Sequence, residues 1–379
     1  MIEAAYLHIP FCHHICHYCD FNKVFFHNQP VMPYLQSMRE EMKRTVEIYP
    51  TENLKTIFVG GGTPTALDEQ QLAYFLESIR LYLPFESSGE FTFEANPNEL
   101  TKEKVKILHE YGVNRLSIGV QTFNEELLHK IGRVHTSRQA FESVEAARQV
   151  GISNISLDLM YSLPGQTIND FSKTLQTAFS IDVEHMSAYS LIIEPKTVFY
   201  NLMNKGKLRV PSQEDEAAMY ELLMNEMAKH GYGQYEISNF AKPTYESVHN
   251  LTYWNNEDYY GIGAGAHSYI NGVRRANIAP LKKYIDSVER SGFAYLEENR
   301  VSKAEKMEEE MFLGLRKTKG VSEETFYEKY SVEMKEIFGE PIQEYQEKGL
   351  LEQVEGCIRL THKGRFLGNE VFQAFIGVI

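Results

Sequence analysis

The chain has 379 residues, with 38 Lys and Arg against 52 Asp and Glu and a formal net charge of −14. That balance argues against a general nucleic-acid binder, because phosphate recognition relies on clustered cations and no basic run of useful length occurs. Apolar residues at 43% and charged residues at 24% describe an ordinary globular protein and exclude a disordered, collagenous or coiled-coil chain. The length sets a prior of two or three domains. No apolar run reaches the roughly 18 residues that a membrane span needs. The N-terminus MIEAAYLHIPFCHH, with an acid at position 3 and a short apolar stretch ending at Pro10, does not read as a secretory signal. A cytoplasmic protein without stable membrane insertion is therefore expected. Three of the four cysteines, Cys12, Cys16 and Cys19, fall within eight residues, whereas Cys357 lies far away. In a reducing compartment such a group predicts a metal or redox centre rather than a disulfide framework.

In chain order, β-rich runs alternate with amphipathic helical runs through the first half. Strands are predicted at Ala4 to Ile9, Lys55 to Val59, Glu90 to Glu94, Arg115 to Val120, Ile155 to Tyr161 and His185 to Ile193. The intervening helices run from Pro33 to Ile48, Glu69 to Leu83, Lys102 to Tyr111, Ser137 to Val150 and Ile168 to Ser180. Six strands separated by helices imply parallel crossovers, and hence a barrel, a partial barrel or an open doubly wound α/β sheet. After Glu194 the alternation weakens: a helix at Glu214 to Lys229, a Tyr- and Asn-rich stretch from Tyr232 to Tyr260, the string GIGAGAHS, and a helix near Leu281 to Glu289. From Val301 helices at 303–315, 323–330 and 333–347 precede a hairpin and a last helix, the pattern of a small winged-helix-like domain. Without a basic recognition helix, a cover or docking module is the better reading than DNA binding. The expected division is 1–235 for the barrel, 236–300 for a connecting segment and 301–379 for the C-terminal domain.

Cys12, Cys16 and Cys19 have C-x3-C-x2-C spacing directly after the first strand. Three thiolates on one loop suit three irons of a [4Fe–4S] cluster and leave the fourth iron open. Zinc held by the three cysteines with His13, His14 or His17 is the alternative, but zinc knuckles usually pair a C-x2-C with a second pair, and none exists here. The loop resembles that of the radical S-adenosylmethionine (SAM) superfamily, which implies a partial (βα)6 barrel and SAM chelated to the open iron.

Further positions extend the resemblance. Gly60-Gly61-Gly62-Thr63-Pro64 follows the second strand, Glu94 ends the third, Gln121 ends the fourth and Asp158 lies on the fifth. Alone, each reads as a turn, surface or capping residue; in a barrel they gather at the C-terminal rim. Together with Tyr6, Tyr18, Arg133 in IGRVH and the LPGQT turn, they resemble the oxygen-independent coproporphyrinogen III oxidase group over nearly the whole chain. That resemblance implies Tyr6, Gly61, Gly62, Thr63 and Glu94 as contacts of a cluster-bound SAM. It implies Tyr18, Gln121, Arg133 and Asp158 as contacts of a second.

Two departures weaken the oxidase expectation. Asp20-Phe21 stands where oxidases of the group carry a further cysteine, and Tyr6 lies almost at the start, where they have an extension. A gain accompanies these losses: His249-Asn250-Leu-Thr-Tyr253-Trp254 is similar to the H-N-x-x-Y-W signature of HemW-type heme chaperones. An imidazole ligates heme iron and an aromatic pair covers a porphyrin face, although an isolated motif of this kind reads better as core packing. Gly261-Ile-Gly263-Ala-Gly265-Ala266 fits G-x-G-x-x-A but lacks a βαβ setting and an acid at the expected distance, so a tight turn is expected rather than a dinucleotide site. Cys357 is expected to be buried in the hairpin. The favoured function is a heme chaperone passing heme or another tetrapyrrole to an acceptor protein, with cluster and SAM supporting transfer or homodimer formation and an electron donor as partner. The alternative is a radical SAM oxidoreductase acting on a tetrapyrrole.

Overall fold

The computed structural model describes residues 1–379. Its first half is β1 (Ala4–Ile9), α1 (Val31–Ile48), β2 (Leu54–Gly61), α2 (Glu69–Tyr82), β3 (Phe85–Ala95), α3 (Lys102–Glu110), β4 (Arg115–Gln121), α4 (Ser137–Val150), β5 (Asn154–Tyr161), α5 (Ile168–Ile181) and β6 (His185–Ser190). The six strands pair side by side in chain order, all parallel. This is the incomplete α/β barrel that the alternation predicts, with β3 starting earlier and β6 ending earlier than the periodicity suggests. Helices cover the outer face, so strand residues bury on both sides: every residue of β4 is buried. Reciprocal capping boxes start α2 at Asp68 with Gln71, α4 at Thr136 with Gln139 and α5 at Thr167 with Asp170. Each cap contributes about 1 kcal/mol and fixes where a helix begins relative to the rim.

The following elements are α6 (Gln213–Lys229), β7 (Asn239–Ala241), α7 (Val248–Trp254), β8 (Tyr259–Ile262), β9 (His267–Ile270), β10 (Val273–Asn277), α8 (Leu281–Ser291) and β11 (Tyr295–Arg300). Residues 236–300, expected only to connect, thus supply strands to both flanks of a twelve-stranded sheet. On one flank β7 pairs antiparallel with β6. On the other, β8 runs parallel to β1 and leads through β9 and β10 to β11 in antiparallel pairs. The glycine string forms the β8–β9 turn, with Gly263 and Gly265 at positive φ; this antiparallel turn is not a βαβ phosphate loop. A Cβ on Gly261 would lie 1.7 Å from the His267 carbonyl oxygen, so the turn closes only around glycine.

The C-terminal unit contains α9 (Lys303–Gly314), α10 (Glu323–Tyr330), α11 (Met334–Glu347), β12 (Leu351–Val354) and β13 (Cys357–Leu360). The antiparallel hairpin β12–β13 is joined by Val321–Ser322 to make a three-stranded sheet, with Cys357 buried on β13. The expected last helix is two short ones, His362–Phe366 and Gly368–Gln373. Its 17-residue apolar core is distinct from the 61-residue core of the barrel. No helix is long and apolar enough to cross a membrane.

Candidate cluster and cofactor site

Cys12 is held in a two-residue strand, Phe11–Cys12, paired with Val24–Phe25. The loop between these strands is clamped from outside: the His17 amide donates to Ile131 O at 3.0 Å, the His17 ring bonds Lys130 O at 3.0 Å, and the Phe199 amide donates to His17 O. His13 packs on Phe26 with ring centroids 4.6 Å apart. His13 and His17 therefore act as packing and anchoring groups, and the three thiols line one cavity of about 490 Å³. Burial pushes the Cys12 thiol up to about 12, while a hydrogen bond from the Thr63 hydroxyl at 3.5 Å opposes that shift. Ionising the Cys12 thiol is favoured by a cationic centre beside it. No three His, Cys, Asp or Glu side chains converge as on a single ion. The three cysteines and His14 line this same cavity, and the thiolates there could each take a different iron of a cluster.

The glycine loop at the end of β2 packs against this wall. A Cβ on Gly60 would lie 2.8 Å from the Glu94 carboxyl, one on Gly61 2.5 Å from the His8 ring, and one on Gly62 2.9 Å from Cys12 Sγ. The Gly61 amide donates to Glu94 Oε2 at 3.1 Å. Burial, followed by the nearby Asp158 charge, raises the Glu94 carboxyl to about 8. Tyr6 lies below on β1, and its hydroxyl meets His8 Nδ1 at 2.9 Å. Tyr6, Gly61 and Glu94 border a second cavity of about 290 Å³, which shares Gly61 and Glu94 with the first. Thr63 closes the set by accepting from Asn96 Nδ2 at 3.1 Å.

Across the cavity, Arg133 Nη1 donates to Asn96 Oδ1 at 2.5 Å, and Tyr18, Gln121, Arg133 and Asp158 line the same space. Gln121 has φ 65 at the end of β4, where the β4–β5 register slips by one residue. A glutamine in the left-handed region stores backbone strain, and such strain gathers at functional sites. Gly119 makes room here, since a Cβ would sit 3.0 Å from both Arg133 Nη2 and Gln121 Nε2. Burial raises the Asp158 pKa, opposed first by the Ser117 hydroxyl, which lies 3.0 Å from both carboxylate oxygens. The sequence reading did not nominate Asn96, His8 or Ser117. Period two carries the signal for His8, which follows Tyr6 by two residues on one face of β1, whereas Asn96 lies one residue past the end of β3.

The H-N-x-x-Y-W motif forms α7, which sits at the N-terminal ends of the barrel strands. Glu90 of β3 accepts from the amides of Val248 and His249, both at 3.1 Å, and from the Ser247 hydroxyl. His249 is 1% exposed, with Nδ1 3.3 Å from Thr56 Oγ1, Nε2 2.8 Å from the Tyr253 hydroxyl, and its ring stacked on Phe58. Burial lowers its pKa to about 3, so it is neutral and both nitrogens are engaged. Asn250 lines the cluster cavity from below. Tyr253 borders the second cavity, and with Trp254 it also borders a third, a cleft of about 680 Å³ between α7, the β8–β10 ribbon and α9. The structure thus brings the cysteines and the nine expected SAM contacts to one pair of joined cavities. Of the four motif residues, it brings Asn250 to the first cavity and Tyr253 to the second, puts Trp254 on the cleft, and buries His249 behind them.

Residues 6–178 match the radical SAM superfamily and residues 301–367 match the HemN C-terminal domain. The fold superposes on coproporphyrinogen III oxidase (HemN) from Escherichia coli, described as a radical SAM enzyme, with a TM-score of 0.88 over 100% of this chain and 91% of that one. At 24% identity this likeness is one of fold. Fold and cysteine loop therefore define a radical SAM protein. The chain is 55% identical over 377 residues to heme chaperone HemW of Bacillus subtilis, covering 99% of this chain and 100% of the relative. It is 46% identical over 374 residues to heme chaperone HemW of Lactococcus lactis, covering 99% and 97%. It belongs to the HemW family of the radical SAM superfamily.

Proposed function

We propose that this protein is a cytoplasmic heme chaperone, binding heme and handing it to an acceptor protein from a radical SAM scaffold. Cys12, Cys16 and Cys19 would hold a [4Fe–4S] cluster, which would supply a binding site for SAM and exchange electrons with a donor. The chain's own residues position the ligands around it. Gly61 and Gly62 let backbone reach the SAM methionyl group, Glu94 and Tyr6 receive its polar end, and Thr63 orients Cys12. Tyr18, Gln121, Arg133 and Asp158 form the opposite wall for a second SAM, with the Arg133 guanidinium available to a carboxylate and Asp158 to ribose hydroxyls.

The observation that carries this reading is the placement of α7. Asn250 faces the cofactor cavity and Tyr253 and Trp254 face the cleft, so one seven-residue helix connects the two spaces. His249 contributes by holding that helix in place. The tetrapyrrole oxidase reading is disfavoured by Asp20 and Phe21, which line the cluster cavity where the oxidases carry a further cysteine.

After anaerobic reconstitution, iron and sulfide are expected near four each per chain, as the [4Fe–4S] composition requires; zinc without sulfide would remove the cluster. Hemin titration is followed by the heme absorbance and by emission from Trp254, the only tryptophan. Saturable quenching at one heme per chain, without turnover of coproporphyrinogen III, is expected. Rapid protoporphyrinogen formation would sink the chaperone reading.

A further inference from the structure

If heme is the cargo, an iron ligand has to reach it, and His249 has no free nitrogen. One other imidazole faces the relevant space. His267, on β9, is exposed, and its ring enters no hydrogen bond in the protein. It borders both the 290 Å³ cavity beside Glu94 and Tyr6 and the 680 Å³ cleft beside Trp254. Strand geometry explains the position. His267 and Tyr269 are two residues apart and share a face, Tyr259 is Tyr269's partner across the β8–β9 pair, and Arg274 is its partner across β9–β10.

We propose that heme is held in this cleft with His267 as the imidazole ligand of its iron; the inference rests on the heme reading above and goes beyond it. The volume falls within the range of small-molecule and cofactor sites, which runs to roughly 1,000 Å³. Its walls are aromatic: Tyr253, Trp254, Tyr259, Tyr269 and Phe312 present ring surface to a flat macrocycle. The Trp254 indole nitrogen is buried without a partner, and the Tyr259 and Tyr269 hydroxyls make no hydrogen bond to protein. Donors for propionates thus lie on α7, at Trp254, and on the sheet wall, where Arg274 also stacks on Tyr269 at 5.3 Å while paired with Glu309. On the α9 wall, the Glu305 and Glu308 carboxylates repel propionates. The heme edge carrying them therefore turns towards the ribbon and the solvent. His267 itself borders both the cavity beside Glu94 and this cleft.

The test uses the full-length protein, hemin as probe, and absorption and electron paramagnetic resonance spectra as readouts. His267→Ala is expected to lose the imidazole-ligated spectrum. It should weaken hemin binding by at least the roughly tenfold that losing even an outer partner of a metal-bound histidine costs. Added imidazole should restore the spectrum. His267 is exposed, so this variant should melt like the parent. His249→Gln should keep the imidazole signature even if it melts earlier. The assignment is overturned if His267→Ala binds hemin with an unchanged spectrum, or if the signature is lost in His249→Gln and kept in His267→Ala. Failure of the parent protein to bind hemin stoichiometrically would overturn the heme reading itself, a separate result.

Discussion

Gly62 lies so close to the cysteine loop that a Cβ would stand 2.7 Å from the Pro10 carbonyl and 2.9 Å from Cys12 Sγ. Gly62→Ala is expected to strip iron and sulfide from the reconstituted protein while lowering stability by only about 1–3 kcal/mol, the usual range for overpacking. Iron and sulfide per chain, measured beside a thermal melt, separate the two effects. Glu94 gives a pH test. Its folded pKa of about 8 lies above its ordinary 4.5, so the folded chain holds an extra proton between those values. Stability therefore falls as pH rises from about 4.5 to about 8 and levels beyond, by at most about 1.4 kcal/mol per unit for this group. Glu41, raised by burial to about 7, adds the same sign over its narrower window. Urea titrations at several pH values should show Glu94→Gln flattening the slope and gaining stability near pH 8, with weaker SAM binding. Cysteines, glycine loop and Glu94 were legible as single residues because their chemistry is local to a motif. The state of His249 was not, because Thr56, 193 residues away, and Tyr253 together take up its nitrogens.

Among the elements, α7 depends on one distant carboxylate. Glu90 accepts two of its first amides, and its Oε2 lies 3.9 Å from the Nε of Arg115, which is buried. Glu90→Ala is expected to leave the first amides of the helix without their acceptor, a loss of about 1–3 kcal/mol, that of an unsatisfied buried donor. Hydrogen exchange should quicken first at residues 248–254; unchanged protection there would contradict the capping role. The six barrel strands were readable because β-rich runs between amphipathic helices leave few other folds. Strands β8 to β11 were not. They are short and rich in Tyr, Asn and Arg, and β11 at the sheet edge has five of its six residues exposed, which removes the apolar alternation that marks a strand.

At the scale of the whole molecule, the C-terminal domain docks onto the motif helix itself. The Arg316 guanidinium lies over the rings of Trp254 at 5.2 Å, Phe312 at 5.5 Å and Phe372 at 5.0 Å, joining α7 to the C-terminal core. Lys317 Nζ donates to Asn255 Oδ1 at 2.6 Å and Lys329 Nζ to Asn255 O at 3.0 Å. Arg316→Ala is expected to weaken this docking by about 1–2 kcal/mol, the scale of a desolvated cation–π contact. Faster proteolysis near residues 301–303 and a shift in Trp254 emission would report it. An unchanged digestion pattern would show that the polar contacts hold the domain alone.

By itself the sequence determined the α/β alternation, the three cysteines as one group, the glycine loop, and the HemW-type motif. All of these are set by spacing along a single stretch of chain. Tertiary structure alone decided that residues 236–300 flank both sides of the sheet, that both His249 nitrogens meet partners within the protein, and that the His267 ring borders two cavities. Those outcomes depend on which distant strands pair and which buried polar atoms find partners, quantities that no local pattern carries. The acidic chain with four cysteines thus becomes a scaffold in which the cysteine-lined cavity, the cavity beside Glu94 and an aromatic cleft adjoin one another.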